Sequence, residues 1–422
     1  MLTTAPRGTN DFLPGDVEKW QYIERIVREI CEHYGYQEIR TPIFEHTELF
    51  LRGVGDTTDI VEKEMYTFVD RGERSLTLRP EGTASTVRSF IEHKLYANPQ
   101  PTKLYYLGPM FRYDRPQAGR YRQFHQFGIE LFGTNHPSSD AEVIGLAMDF
   151  YKRLGLTGLE VRLNSVGCPS CRQEHKVKLQ QYLEEKLASL CKNCQGRFER
   201  NPLRILDCKS STCQELTVGA PTITTCLCPS CIDHFAAVKK YLDILNITYK
   251  LDETLVRGLD YYTNTAFEIV YQGIGAQSAI GGGGRYNGLV EQVGGQAIPG
   301  IGFGLGLERL LMTLEHQGVK LPLANKLDTF IVALGSAADG LGFKLMQELR
   351  TSGIKADKDY LEKNFKGQLK QADRKGAQYC IIIGEDELAR NAAIVKHMAS
   401  GSQEEIKVDE ITKYLLSQLN KG

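Results

Sequence analysis

Arg112, Arg115, Arg120 and Arg122, with Asp114 among them, fall within eleven residues that also hold Tyr113 and Tyr121, and Phe124 follows closely. Guanidinium forks match phosphate oxygens two at a time, and aromatic faces accept a flat base. The set suits a base joined to a polyphosphate, although a solvated edge hairpin would carry the same residues. Glu81 and Thr83 offer a carboxylate and a hydroxyl, which suit an ammonium; Thr83 equally suits a helix cap. Arg257, Asp260, Tyr261 and Tyr262 gather a cation, an anion and two phenols, though a buried Arg beside Asp is also an ordinary structural pair. Gly300, Gly302, Gly304 and Gly306 alternate with Ile301, Phe303, Leu305 and Leu307 before Arg309. In a strand, that alternation puts all the glycines on one face, where a flat ligand can lie against bare backbone. A glycine-lined strand under a close-packed helix is the competing reading.

The remaining reactive residues are thiols. Nine of the eleven cysteines lie between Cys168 and Cys231. Cys168/Cys171 and Cys191/Cys194 form two Cys-x-x-Cys hooks with 19 residues between them, which predicts one tetrahedral zinc site. Cys208, Cys213, Cys226, Cys228 and Cys231 offer a second, and free or labile thiols remain the alternative.

Elements that would position these groups can be read from periodicity and turn chemistry. Trp20, Ile23, Ile26, Val27, Ile30, Cys31 and Tyr34 recur at helical spacing up to Gly35. Tyr36–Thr41 is strand-like and runs into Pro42, which belongs at a strand edge or end and could mark a subunit contact. The residues from 105 to 132 read as a hairpin broken at Arg115-Pro-Gln-Ala-Gly119. Leu76–Arg79 reads as a strand that gives way at Pro80 to a helix from Ala84. Between the two thiol hooks, Val177, Leu179, Tyr182, Leu183, Leu187 and Leu190 predict a helix. Gly281 to Gly284 make a glycine-rich turn that lacks the Lys-Ser/Thr of a P-loop. Beyond Asp328 strands and helices alternate, with Lys363, Lys366, Lys370 and Arg374 expected along one helical face.

A 422-residue chain has room for two or three cored domains. Its net charge of −1 excludes blanket attraction to a polyanion, so any nucleic acid must meet local patches; the stretch from Asp328 onward is itself neutral, with 14 basic and 14 acidic residues. Met1–Asn10 carries no apolar signal core and no run is long enough to cross a bilayer, so a cytoplasmic protein without membrane partners is expected.

Taken together, the chain resembles the bacterial type of histidyl-tRNA synthetase, a family of class II aminoacyl-tRNA synthetases, over nearly its whole length. Phe111-Arg112 with its loop and Phe124 resembles the second class II motif, Gly304–Arg309 the third, and the Pro42 region the weaker first. Leu255–Tyr262 and Gly282–Tyr286 resemble the two histidine-specific signatures.

The resemblance implies an α+β catalytic domain with an antiparallel sheet (residues 1–166 and 251–322), a small, mainly helical Cys-rich insertion (167–250) and an α/β anticodon-binding domain (327–422). It implies a homodimer acting on L-histidine, ATP with Mg²⁺, and tRNA(His), with zinc an unproven structural addition. Arg112 would meet the α-phosphate with Arg257 opposite, and Phe124 and Arg309 would sandwich adenine near Asp114, which replaces the more usual Glu and reaches less far. Glu81, Thr83 and Gln126 would take the histidine ammonium, Glu130, Tyr261 and Tyr262 its ring side, and Arg115, Gln117 and Arg120 the tRNA acceptor end. The rival reading is a non-catalytic paralogue serving as a regulatory subunit in histidine biosynthesis; such paralogues generally lack the anticodon domain and degrade the arginine signatures.

Overall fold

The computed structural model describes residues 3–55, 58, 60–206, 208, 210–256, 258–323 and 327–419. The chain divides into two compact units, Met1–Leu321 and Pro322–Gly422.

The first unit holds strands β1 (Gln37–Glu38), β2 (Phe44–His46), β3 (Tyr66–Val69), β4 (Ser75–Leu78), β5 (Thr102–Phe111), β6 (Gln123–Phe132), β7 (Glu160–Ser165), β8 (Tyr249–Leu251), β9 (Thr263–Val270), β10 (Ala279–Arg285) and β11 (Gly300–Gly306). Eight form one sheet in the order β1-β5-β6-β11-β10-β9-β7-β8. Its six central strands run antiparallel, and only the two edge pairings, β1/β5 and β7/β8, are parallel. A small antiparallel sheet, β2-β4-β3, stands apart.

Alternation along the central strands decides which face is core and which is site. Phe127, Ile129 and Leu131 of β6 and Ile301, Phe303 and Leu305 of β11 point to one side, where they pack with Ile23, Val27 and Ile30 of helix Val17–His33 and with Ile144, Ala147 and Phe150 of helix Pro137–Arg153. The first helix stops as its spacing predicts, with Gly35 at φ +75° just past its end. Phe235, Val238 and Leu242 of helix Pro229–Ile244 join this core, so the last helix of the Cys-rich stretch is anchored in the catalytic layer. The opposite face carries Gln126, Gly128 and Glu130 of β6 and the even-numbered glycines of β11. Arg285, fully buried, is neutralised by Asp140, with Nη2 donating to the carboxylate at 2.5 Å, and its role is structural.

In the Cys-rich stretch, helix Pro169–Leu183 begins at the first thiol hook and helix Lys192–Arg200 at the second. Leu179, Leu183, Leu190, Phe198 and Ile205 form a separate small core, a packing consistent with a helical insertion.

The second unit has strands β12 (Leu327–Ala333), β13 (Ala356–Lys358), β14 (Ala377–Ile383), β15 (Ala392–His397) and β16 (Gln403–Lys407) in the order β13-β12-β14-β15-β16. The first three are parallel, as the alternating pattern predicts; the last two add an antiparallel extension that the pattern does not reveal. Helix Phe365–Arg374 begins after Lys363, which lies outside it and folds back so that Nζ donates to Gln371. The expected basic face therefore reduces to the exposed Lys366, Lys370 and Arg374. No helix among the described residues is long and apolar enough to cross a membrane.

Candidate active site

Arg112 follows the last residue of β5, and its Nε donates to the carbonyl of Pro80 (2.8 Å), which fixes the guanidinium 5.3 Å from the centre of the Phe124 ring on the facing strand. Arg309, on the first turn of helix Leu307–His316, is pinned twice: Nε donates to the Gly119 carbonyl (3.1 Å) and Nη1 to that of Ala279 (2.8 Å). These groups, with Asp114, Arg120, Glu268 and Gly282, enclose a cleft of about 350 Å³. Burial depresses the pKa of both Arg112 and Arg309, and for Arg309 the positive charges of Arg120 and Arg112 act in the same direction. Guanidinium groups desolvated and crowded in this way are poised for an anion, whose charge relieves both costs. The Phe124 face and the glycine backbone of β11 give the cleft a flat side.

A buried polar cluster adjoins the cleft at Gln126. Its centre is Glu130, which is 0% exposed. The Thr83 hydroxyl donates to one oxygen (2.7 Å) and the Tyr286 phenol to the other (2.5 Å). Burial nonetheless pushes the Glu130 carboxyl up to about 8, with the hydroxyl donors opposing the shift. Glu81, also buried, accepts the backbone N–H of Thr83 (2.7 Å) and Ala84 (2.8 Å). The cap expected of Thr83 is thus supplied by Glu81, which leaves the Thr83 hydroxyl for Glu130. Burial raises the Glu81 carboxyl as well, against those two N–H donors. Gln126 accepts the Gly82 N–H, and the rings of Tyr106, Tyr261 and Tyr262 complete the buried wall. Desolvation lifts the phenols of Tyr106, Tyr261 and Tyr286 well above their ordinary range, so they remain neutral donors. Two carboxyl groups among neutral hydroxyls suit a small ligand bearing a cation and hydrogen-bonding nitrogens.

The glycine face of β11 differs from the bare platform expected. A Cβ on Gly300 would lie 2.2 Å from Tyr286, on Gly302 2.0 Å from Glu130, and on Gly304 2.4 Å from Gln126. Three of the four glycines therefore make room for side chains of the buried cluster, and Gly304 and Gly306 line the cleft. Gly128 plays the same part for Tyr106, whose ring would be 2.3 Å from an added Cβ.

Other expected residues are placed less centrally. Asp114 lines the cleft but pairs with Arg120 at 2.9 Å, which ties its carboxylate to the loop. Arg115 and Gln117 are exposed at the hairpin tip, where the Gln117 backbone bridges to Arg120. Arg257 lies outside the described residues; its neighbour Gly258 lines the cleft. Tyr106, Tyr286 and Glu268 take positions that sequence reasoning did not assign. Tyr286 stands inside the second signature, and Tyr106 sits opposite Gly128 in the hairpin register, but neither signal separates a site tyrosine from a core one.

The single zinc site expected from Cys168, Cys171, Cys191 and Cys194 does not form. Cys168/Cys171 and Cys191/Cys194 join different groups of four, because the 15-residue helix Pro169–Leu183 intervenes and at 1.5 Å per residue spans roughly 22 Å.

Comparison with known proteins agrees with this geometry. Residues 8–310 match the family model for histidyl-tRNA synthetase and residues 328–418 the one for an anticodon binding domain. The chain is 60% identical over 415 residues to a histidine–tRNA ligase of Desulforamulus reducens, covering 98% of this chain and 99% of the relative. It is also 60% identical to that of Moorella thermoacetica, with both chains covered completely. The solved apo histidyl-tRNA synthetase of S. aureus superposes with a TM-score of 0.85 at 47% identity, covering 98% of this chain and 99% of that one. Sheet, motifs and full-length similarity together place this chain in the histidyl-tRNA synthetase family of class II aminoacyl-tRNA synthetases.

Proposed function

We propose that the chain is a histidine–tRNA ligase that joins L-histidine to ATP, releasing pyrophosphate, and then passes histidine from the adenylate to the 3′ end of tRNA(His). The observation that carries this reading is the pairing of the Arg112/Phe124/Arg309 cleft with the buried, hydrogen-bonded cluster of Glu130, Thr83 and Tyr286. The regulatory paralogue is disfavoured because relatives named histidine–tRNA ligase match over the full length, through the anticodon-binding region.

ATP lies with adenine between Phe124 and Arg309 and its α-phosphate at Arg112, and the signature that contains Arg257 assigns that arginine to the same phosphate. The carboxylate of histidine attacks the α-phosphorus; the bond to the bridging oxygen breaks and pyrophosphate leaves. That carboxylate is already ionised, so no protein base is required, and the arginines stabilise charge on the five-coordinate phosphorus. Glu81 with Gln126 receives the substrate ammonium, while Glu130, flanked by Tyr261 and Tyr262, receives the imidazole. Glu268, on the cleft wall, is the carboxylate that would hold Mg²⁺ together with substrate phosphates, and the ion would supply positive charge to the pyrophosphate. No step calls on the thiols of the insertion, so a metal held there is structural. The catalytic domain comprises residues 1–166 and 251–322 around the insertion 167–250, and 327–422 reads the anticodon.

The enzyme is a cytoplasmic homodimer in this reading. Ile43, Phe44 and Phe68, on and beside the small sheet, are each more than two-fifths exposed and form an apolar surface next to Pro42 that a second copy would cover.

The exposed hairpin tip gives the transfer step its own test. Replacing Gln117 by alanine is expected to slow aminoacylation of tRNA(His) about tenfold or more while leaving histidine-dependent ATP–pyrophosphate exchange within twofold, since removing a contact made only to tRNA spares the first step. Comparable losses in both assays would make the loop a structural element of the ATP cleft.

A further inference from the structure

Eight of the nine clustered cysteines converge in two groups of four: Cys168, Cys171, Cys228 and Cys231 at the root of the insertion, and Cys191, Cys194, Cys208 and Cys213 farther out. All their thiols are free, and within each group the sulfurs lie within 4.8 Å of one another. The separations are 3.5 Å for Cys168–Cys171, 4.0 Å for Cys168–Cys228, 3.8 Å for Cys171–Cys231 and 3.9 Å for Cys191–Cys208. A disulfide needs about 2 Å. Four thiolates at tetrahedral corners around zinc, with Zn–S of about 2.3 Å, stand roughly 3.8 Å apart. A cluster with several irons between the sulfurs would hold them farther apart than this.

The local structure is also that of a ligand cage. The root is built from two copies of the same tetrapeptide, Cys168-Pro-Ser-Cys171 and Cys228-Pro-Ser-Cys231, each opening a helix with proline in its first turn. Backbone N–H groups already aim at sulfur: Cys228 donates to Cys171 Sγ (3.1 Å) and Cys191 to Cys213 Sγ (3.3 Å). Such donors hold a thiolate ligand in place and offset its charge.

We propose that the chain binds two structural zinc ions, one in each group of four, and that the root ion braces the loop bearing Tyr261 and Tyr262. Each ion binds as four thiols release their protons to solvent. The root lies where the insertion leaves and rejoins the catalytic domain, and it is wired to that loop. Arg172, next to Cys171, donates to the carbonyls of Asp260 (3.3 Å) and Tyr262 (3.1 Å). The N–H of Asn264 donates to the Gly167 carbonyl (2.9 Å), and Cys231 Sγ approaches Asn264 Oδ1 at 3.7 Å. The outer ion instead fastens the small core of Leu179, Phe198 and Ile205. The metal count stands without any assumption about activity; the bracing role rests on the proposed place of Tyr261 and Tyr262 in histidine binding.

The test is elemental analysis of the full-length enzyme purified without chelator, beside histidine-dependent exchange for three variants. Wild type is expected to hold two zinc ions per chain, and Cys231→Ser and Cys208→Ser one each. Cys231→Ser should raise the KM for histidine by about tenfold or more, as expected when groups are displaced from a distance. Cys228→His, which keeps a ligand, should retain two ions and near-normal KM, and Cys208→Ser should exchange like wild type. Wild type with no zinc, or with iron in its place, overturns the sites. Cys231→Ser losing an ion with unchanged KM overturns the bracing role.

Discussion

Replacing Arg112 by alanine is expected to slow adenylate formation by about 10²–10³, the loss typical when one preorganised donor to a transition-state oxyanion is removed. The side chain is held ready before substrate arrives: Nε is tied to the Pro80 carbonyl, the Phe124 ring lies alongside, and the surroundings are desolvated. Such a group pays little reorganisation cost during the reaction. With Arg112 on the α-phosphate, as proposed, histidine affinity should change much less than the rate. Single-turnover formation of adenylate at saturating histidine and ATP measures the effect; a wild-type rate constant with weakened histidine binding would assign Arg112 to the amino acid instead.

Glu130 governs a second large effect, on pH dependence. Burial pushes its carboxyl up to about 8 in the unliganded protein, against about 6.5 for a free imidazole. In the proposed complex, carboxylate and imidazole share one proton. Between these two values, Glu130 already carries that proton and histidine does not, so binding needs no net proton exchange. Below about 6.5 a proton must be released, and above about 8 one must be taken up, so affinity falls on both sides. Glu130→Gln is expected to lose the alkaline limb near 8 and to weaken histidine binding at neutral pH by roughly 10–100-fold, the worth of a charged hydrogen bond of about 1.5–3 kcal/mol. The same shift acts on folding. The native carboxyl binds its proton more tightly than the unfolded one, so its contribution to stability declines as pH rises from about 4.5 towards 8. The Gln variant should accordingly melt higher relative to wild type at pH 8.5 than at pH 5. Histidine KM against pH for both proteins, with melting curves at the two ends, checks each statement.

Much of the cleft is legible in the sequence, since Pro116 and Gly119 mark a turn between two strand-like runs and the arginines cluster around it. The β11 glycines are legible as a strand but not as a surface, because alternation says which side they face and nothing about what neighbouring strands place there. Glu130, Gln126 and Tyr286 occupy most of that space. Tyr106 and Tyr286 are hidden for a related reason: an aromatic residue at a strand position reads as core until its phenol is seen on a carboxyl group. Cysteine spacing predicts metal-type hooks, yet a linear interval cannot tell that hooks at opposite ends of one helix must find other partners. The antiparallel pair β15 and β16 escapes a β/α reading because Gln403–Lys407 is polar and largely exposed, with little apolar alternation to detect.

Amino-acid-dependent ATP–pyrophosphate exchange, run separately with each of the twenty standard amino acids, tests the central claim most directly. A pocket that pairs two imidazole nitrogens with buried polar groups leaves those groups unpaired when another side chain enters, and such sites discriminate by about 10⁴–10⁵. Histidine alone should support strong exchange, and exchange of comparable efficiency with any other amino acid, or none with histidine, would contradict the account.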